Sequence, residues 1–344
     1  MTTSTDDGSG DSGVDAGTVG KSLVGFLIAG VVLYLFGRVV GWNEIAETLR
    51  GAELRWLALA CASTTVCLVI WSKAWDVTLS AVDVEIPFRS IVVTYYAATF
   101  ADYVTPFGKA GGGPFVAYVL STDDRASFEN ALASVVVSDT LNLVPFFTFA
   151  GVGFVALGVT GNLPSNARLL VYGLAALLLV LPAVGYLLWT RQGLVERLVV
   201  GVLGPVSKLT DRVDAEGVRE RVDELYVHLN TIADTGHAVA HTLAYAYVGW
   251  VFFAVPLYLA ALTVGVEIDP LLVLFIVPAS TLASFVPTPG GLGGVEAAIT
   301  GLLVALAGLS LGTAASIALL YRVASYWYVV AVGGGAALVQ LRRT

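Results

Sequence analysis

Six stretches of this chain are apolar for long enough to cross a bilayer as helix. They lie at Ser22–Gly41, Leu54–Trp71, Asn130–Val159, Arg168–Trp189, His237–Val264 and Ala314–Leu338. A hydrocarbon core of about 30 Å needs about 20 helical residues, so each qualifies. A soluble fold has nowhere to put so much apolar surface. Of the 344 residues, 57% are hydrophobic and 13% charged, with mean hydropathy +0.82, whereas soluble domains carry about 25% charged residues. Surface grows too fast relative to volume for a globule of this size to hide the excess. The expected fold is therefore all-α, a polytopic membrane helix bundle over 21–341.

The charge, −8 in total, is unevenly placed. Residues 1–20 hold Asp6, Asp7, Asp11 and Asp15 and no Lys or Arg. Such a Gly/Ser/Thr-rich run has too little apolar surface to offset ordering entropy. A disordered acidic tail is expected, and it lacks the basic start of a signal peptide. The one long polar insert is 191–236. In it Val218, Val222, Leu225, Leu229 and Ile232 recur at helical spacing among charges, as in an amphipathic helix pair on the membrane surface. Lys and Arg in short loops mark the cytoplasmic side. Arg191, Arg197, Lys208, Arg212, Arg219 and Arg221 place the insert there, and Arg342 and Arg343 place the basic end 342–344 there. The expected location is the cell membrane, with several crossings. The same rule leaves the side of the N-terminus open. Cys61 and Cys67 lie on different faces of one helix, so no disulfide joins them.

Two further apolar regions, Phe88–Leu120 and Pro270–Gly308, are interrupted. The first break runs Thr105-Pro106-Phe107-Gly108-Lys109-Ala110-Gly111-Gly112-Gly113-Pro114. The second runs Pro287-Thr288-Pro289-Gly290-Gly291-Leu292-Gly293-Gly294-Val295-Glu296. In each, a Thr-Pro is followed by four glycines within eight residues. Proline removes a donor and clashes with the preceding turn, and glycine adds backbone freedom, so neither break continues as helix. Unpaired backbone cannot face lipid, so the breaks must be buried in protein or line a wet cavity. Matched breaks in two halves point to a transporter-like site built from inverted repeats. The expected arrangement is two re-entrant helical hairpins entering from opposite faces. The bland alternative is close helix packing through small residues.

Ionisable residues in apolar segments are costly and tend to face the bundle interior. Here they are Asp102, Lys109, Asp139, Glu296 and Arg322. Lys109 sits within the first break. Glu296 opens the helix after the second, where its charge suits the helix dipole. Arg322 precedes Tyr326 by one turn and either ties helices together, through Glu296 or Asp139, or meets an anion. The expected binding set is Lys109, Gly111, Gly112, Gly113, Thr288, Gly290, Gly291, Gly293, Gly294, Glu296 and Arg322, supported by Asp102, Asp139 and Tyr326. Helix ends and glycine N–H groups at such a place suit a phosphate. His237 and His241 share a helix face but lack the further ligands zinc requires. There is no glycosidase carboxylate pair, nucleophile elbow or HExxH. No catalytic residue, metal, cofactor or nucleic-acid partner is expected.

The run Pro289-Gly290-Gly291-Leu292-Gly293-Gly294-Val295-Glu296-Ala297-Ala298, followed by Tyr321-Arg322 and Tyr326-Trp327, is similar to the C-terminal signature of the lysylphosphatidylglycerol synthase transmembrane-region family, also called flippase-like or UPF0104. Thr105-Pro106 through Gly113-Pro114, with Ala117-Tyr118-Val119-Leu120, resembles its other signature. The resemblance implies an integral membrane protein that handles lipids or lipid-linked headgroups, without the soluble synthase domain of the fused members. Two departures remove positive charge from the implied site. Phe115 and Val116 stand where relatives often carry a basic residue, and Ser138-Asp139 where they often carry Glu-Arg. Lys109 and Arg322 remain as its cations. The implied function is a transporter or flippase of a lipid or lipid-linked headgroup. The rivals are a membrane-embedded transferase acting on a polyprenyl-phosphate or phospholipid, and a non-catalytic membrane subunit.

Overall fold

The computed structural model describes residues 41–105, 127–159, 235–286 and 288–341, with scattered helical positions between 27 and 38, 172 and 187, and 227 and 234. Every element in the described residues is helical. In chain order they are α1 (Trp42–Arg50), α2 (Leu54–Ser80), α3 (Phe88–Val104), α4 (Phe128–Val159), α5 (Gly236–Thr263), α6 (Pro270–Thr281), α7 (Gly294–Ala307), α8 (Leu311–Arg322) and α9 (Tyr328–Leu341). Two short 3₁₀ turns, Leu282–Phe285 and Pro289–Gly291, lie between α6 and α7, and a π-helical turn, Val323–Trp327, joins α8 to α9.

Among the described residues, five stretches are long and apolar enough to cross a membrane: Leu54–Ser80, Asn130–Val159, Gly236–Thr263, Pro289–Ala307 and Leu311–Gln340. Four match expected spans. Ser22–Gly41 and Arg168–Trp189 are described only at scattered positions, helical except for Gly41. The tail, the basic end and nearly all of the insert lie outside the described residues. Helix α2 runs nine residues past the expected Trp71. In the added turns Lys73 and Asp76 pair with each other. The Lys73 ammonium also lies 5.0 Å from the centre of the Phe88 ring. Paired in this way, the two charges sit within a continuing helix. Within the second interrupted region, Pro270–Ser284 is apolar but short, whereas Pro289–Ala307 reaches crossing length.

Local chemistry fixes the element ends. Asp269 caps α6, its carboxylate accepting from the Leu271 N–H at 2.8 Å, with Pro270 at the first helical position. Helix α7 stops at Gly308, whose φ of 66° is left-handed. Ser310 then caps α8. The Glu53 N–H donates to the Thr263 carbonyl at 2.8 Å, tying the start of α2 to the end of α5.

The core lies between α4, α5, α6, α7 and α8, around Leu257, Phe275, Ile276, Ile299, Leu303 and Ile317, all fully buried. Helix α2 packs along α5, and α3 along α9. These contacts use small residues, as membrane helices do where apolar burial gives no preference for protein over lipid. A Cβ at Gly249 would lie 2.2 Å from the Trp71 indole nitrogen, and one at Gly333 2.6 Å from the Tyr96 carbonyl oxygen.

Candidate functional site

The second break is where the buried charges meet. After α6 the chain tightens into the first 3₁₀ turn, then extends through Val286 and Thr288. It turns back through Gly290 at φ 55° and Gly291 at φ 67°. Neither turn residue tolerates a side chain. A Cβ on Gly290 would lie 2.1 Å from the Tyr326 ring, and one on Gly291 2.5 Å from the Ser284 Cα. Both also hold a backbone that L-residues rarely adopt. The Thr288 hydroxyl crosses the turn to the Leu292 carbonyl at 2.9 Å.

Helix α7 starts from this turn, and its third residue is Glu296. The Glu296 carboxylate, 1% exposed, does two things. One oxygen accepts the Gly293 N–H at 2.6 Å, neutralising a donor at the helix start. The other accepts the Arg322 Nε–H at 2.9 Å. Arg322 also donates from Nη2 to the Gly290 carbonyl at 2.8 Å. Its guanidinium carbon lies 4.5 Å from the centre of the Tyr326 ring, a cation–π contact. One arginine, 6% exposed, thus holds both ends of the glycine turn. Two of its five N–H donors have named acceptors among the described residues.

Tyr326 carries the site to α3. It stacks on Tyr103 with ring centres 5.2 Å apart and planes 22° apart. Its hydroxyl donates to the Tyr103 carbonyl at 3.2 Å. Tyr103 lies two residues before Thr105, where α3 ends and the first break begins. Lys109, Gly111, Gly112 and Gly113 lie outside the described residues.

Most of the described candidates come together: Thr288, Gly290, Gly291, Gly293, Gly294, Glu296, Arg322 and Tyr326. Of the two partners weighed for Arg322, the structure selects Glu296. Asp139 instead accepts the Trp75 indole N–H at 3.5 Å. Asp102, beside Tyr103, has one carboxylate oxygen fully buried. Two of the glycine N–H groups expected to face a ligand are engaged internally, Gly293 by Glu296 and Gly291 by the Thr288 carbonyl at 3.0 Å. Tyr103 was missed, because a tyrosine in an aromatic-rich helix carries no spacing signal. The π-turn was missed as well, since Val-Ala-Ser-Tyr-Trp reads as ordinary apolar helix. Among the described residues no group of three or more His, Cys, Asp or Glu could hold a metal.

Fold and site together define a multi-pass helical membrane protein whose buried ion pair clamps a broken apolar segment. The chain belongs to the lysylphosphatidylglycerol synthase TM region family, whose model matches residues 22–333, as the two glycine signatures implied. Its relatives include a UPF0104 membrane protein of Methanothermobacter thermautotrophicus, 23% identical over 91% of this chain and 94% of that one. A UPF0104 membrane protein of Pyrococcus horikoshii is 22% identical over 90% and 94%. The glycosyltransferase AglD of Haloferax volcanii is 25% identical over 93% of this chain, which spans 54% of that relative.

Proposed function

We propose that this protein moves a lipid or lipid-linked phosphate headgroup across the cell membrane, with the broken segments forming its binding chamber. The observation that carries the reading is the clamp of Glu296, Arg322 and Gly290 inside an apolar bundle. Broken helices with charged, dipole-bearing ends are where transporters of this build bind their cargo. The Glu296 carboxylate sits between a helix-start N–H and a guanidinium, the surroundings that suit a phosphate. An arriving headgroup competes with it for those donors and engages the remaining donors of Arg322. In this reading Phe88–Leu120 and Pro270–Gly308 are re-entrant hairpins related as an inverted repeat. Lys109 and Gly111 to Gly113 bring the opposing donors on sequence grounds alone, with Asp102 and Asp139 as supporting acids.

The test is leaflet exchange of a fluorescent polyprenyl phosphate in proteoliposomes, read by quenching from outside. The parent protein is expected to expose inner-leaflet probe, and Arg322→Gln and Lys109→Ala to slow that exposure at least ten-fold, the effect of losing about 1.4 kcal/mol of differential binding. Exposure equal to empty liposomes sinks the reading. So does full activity in both variants, which favours a non-catalytic subunit. The name of the Haloferax relative favours a second reading, a membrane-embedded transferase using the same lipid phosphate. Recovery of a new covalent lipid species, with no movement of unchanged probe, would select it.

A further inference from the structure

Tyr326 touches both sides of the site and is fully buried. On the second-break side it meets Gly290, where a Cβ would lie 2.1 Å from its ring, and Arg322, 4.5 Å from its centre. On the other side it stacks on Tyr103 and donates to that residue's carbonyl at 3.2 Å. These partners are far apart in sequence: Tyr103 closes α3, while Gly290 lies in the glycine turn. The ring also belongs to the π-turn Val323–Trp327. A π-turn closes its hydrogen bonds one residue later than an α-turn, so it holds one residue more than the helix around it needs.

We infer that Tyr326 is the coupling residue between the two halves of the site: displacing Arg322 from Glu296 and Gly290 shifts its ring, and the shift releases the end of α3. Packed interiors move between discrete arrangements and do not deform smoothly, so a ring held on both sides transmits a change on one side to the other. The π-turn supplies the freedom. Closing it to α-geometry rotates the helix beyond the turn by about 100°, one residue's worth, and Tyr326 inside it by a smaller angle relative to Arg322. The inference rests on the reading that the second break is where a ligand acts, but the coupling is measured without any ligand.

The experiment is hydrogen–deuterium exchange on the full chain in nanodiscs, comparing parent, Tyr326→Phe and Gly290→Ala. Tyr326→Phe keeps the ring and removes one hydroxyl bond. It is expected to speed exchange about five-fold in 96–105 and also in 288–296, the population change equivalent to one ordinary hydrogen bond. Gly290→Ala, made in the second break, is expected to speed exchange in 96–105. Peptides from the α5 core, 246–261, should speed up less than 96–105 in both variants. Faster exchange confined to the mutated segment overturns the inference, and so does an equal rise in α5, which is general loosening. If Gly290→Ala does not fold, Tyr326→Phe decides alone through 288–296. Leaflet exchange is scored separately, so loss of lipid movement with intact coupling removes only the proposed function, and the reverse result removes only the coupling.

Discussion

At the scale of single residues the dominant fact is a charged pair kept almost wholly from solvent. Removing charge from water costs several kcal/mol per ion, and the pair recovers this only when its hydrogen bonds are well made. Glu296 and Arg322 make theirs to each other, to Gly293 and to Gly290. The consequence is asymmetric. Glu296→Ala leaves an uncompensated buried guanidinium and is expected to destabilise the protein by about 3–5 kcal/mol. The double change Glu296→Leu with Arg322→Met removes both charges and is expected to cost clearly less than the single one. Unfolding in mixed detergent micelles measures both, and a single variant as stable as the parent contradicts the clamp. The sequence showed that Arg322 needs a partner in an apolar segment, because an unpaired charge there is costly. It left two candidates, since Glu296 and Asp139 are both remote in sequence, and only the fold brings one within 2.9 Å.

At the scale of elements, the break between α6 and α7 was legible and its internal construction was not. Prolines and glycines announce where helix must stop. They do not say that Glu296 reaches back to Gly293 or that the turn closes on Ser284 and Tyr326. Gly290→Ala adds a methyl against the Tyr326 ring at a left-handed φ of 55°. The strained backbone alone costs about 1–2 kcal/mol, and the clash adds to it. The expected outcome is a loss of more than about 2 kcal/mol by the same unfolding measurement. Gly301, with no heavy atom within 4 Å of its added Cβ, provides the neutral control. Helix α2 teaches the opposite lesson. It passes the end of its apolar run at Trp71, and its charges at Lys73 and Asp76 cancel each other on one face of the continuing helix. Hydropathy sums residues singly and cannot see that cancellation.

At the scale of the whole molecule, several long apolar helices and membership of the membrane family agree with the composition. Orientation is a matter for experiment, with 191–236 and the C-terminus proposed to face the cytoplasm. Single cysteines introduced at Ser4 and Ser207, in a background lacking Cys61 and Cys67, can be labelled in intact cells with an impermeant reagent. The arrangement of six spans and two returning hairpins predicts that both sites are protected until the cells are opened. Labelling on opposite sides contradicts it, and Phe88–Leu120 is then the segment to reassign as a full crossing, because it is the returning hairpin that lies between the two labelled sites.

The π-turn at Val323–Trp327 also sets the phase of everything after it. With one surplus residue wound into the helix, α9 presents a face about 100° away from the one an uninterrupted α8 would continue. Gly333 meets the Tyr96 carbonyl on the face so presented. Losing one residue between 323 and 327 would let the turn close to α-geometry and leave α9 in phase. Adding one between 328 and 332 would instead wind the segment forward and put the Val332 side chain against α3, where the chain now offers the bare backbone of Gly333.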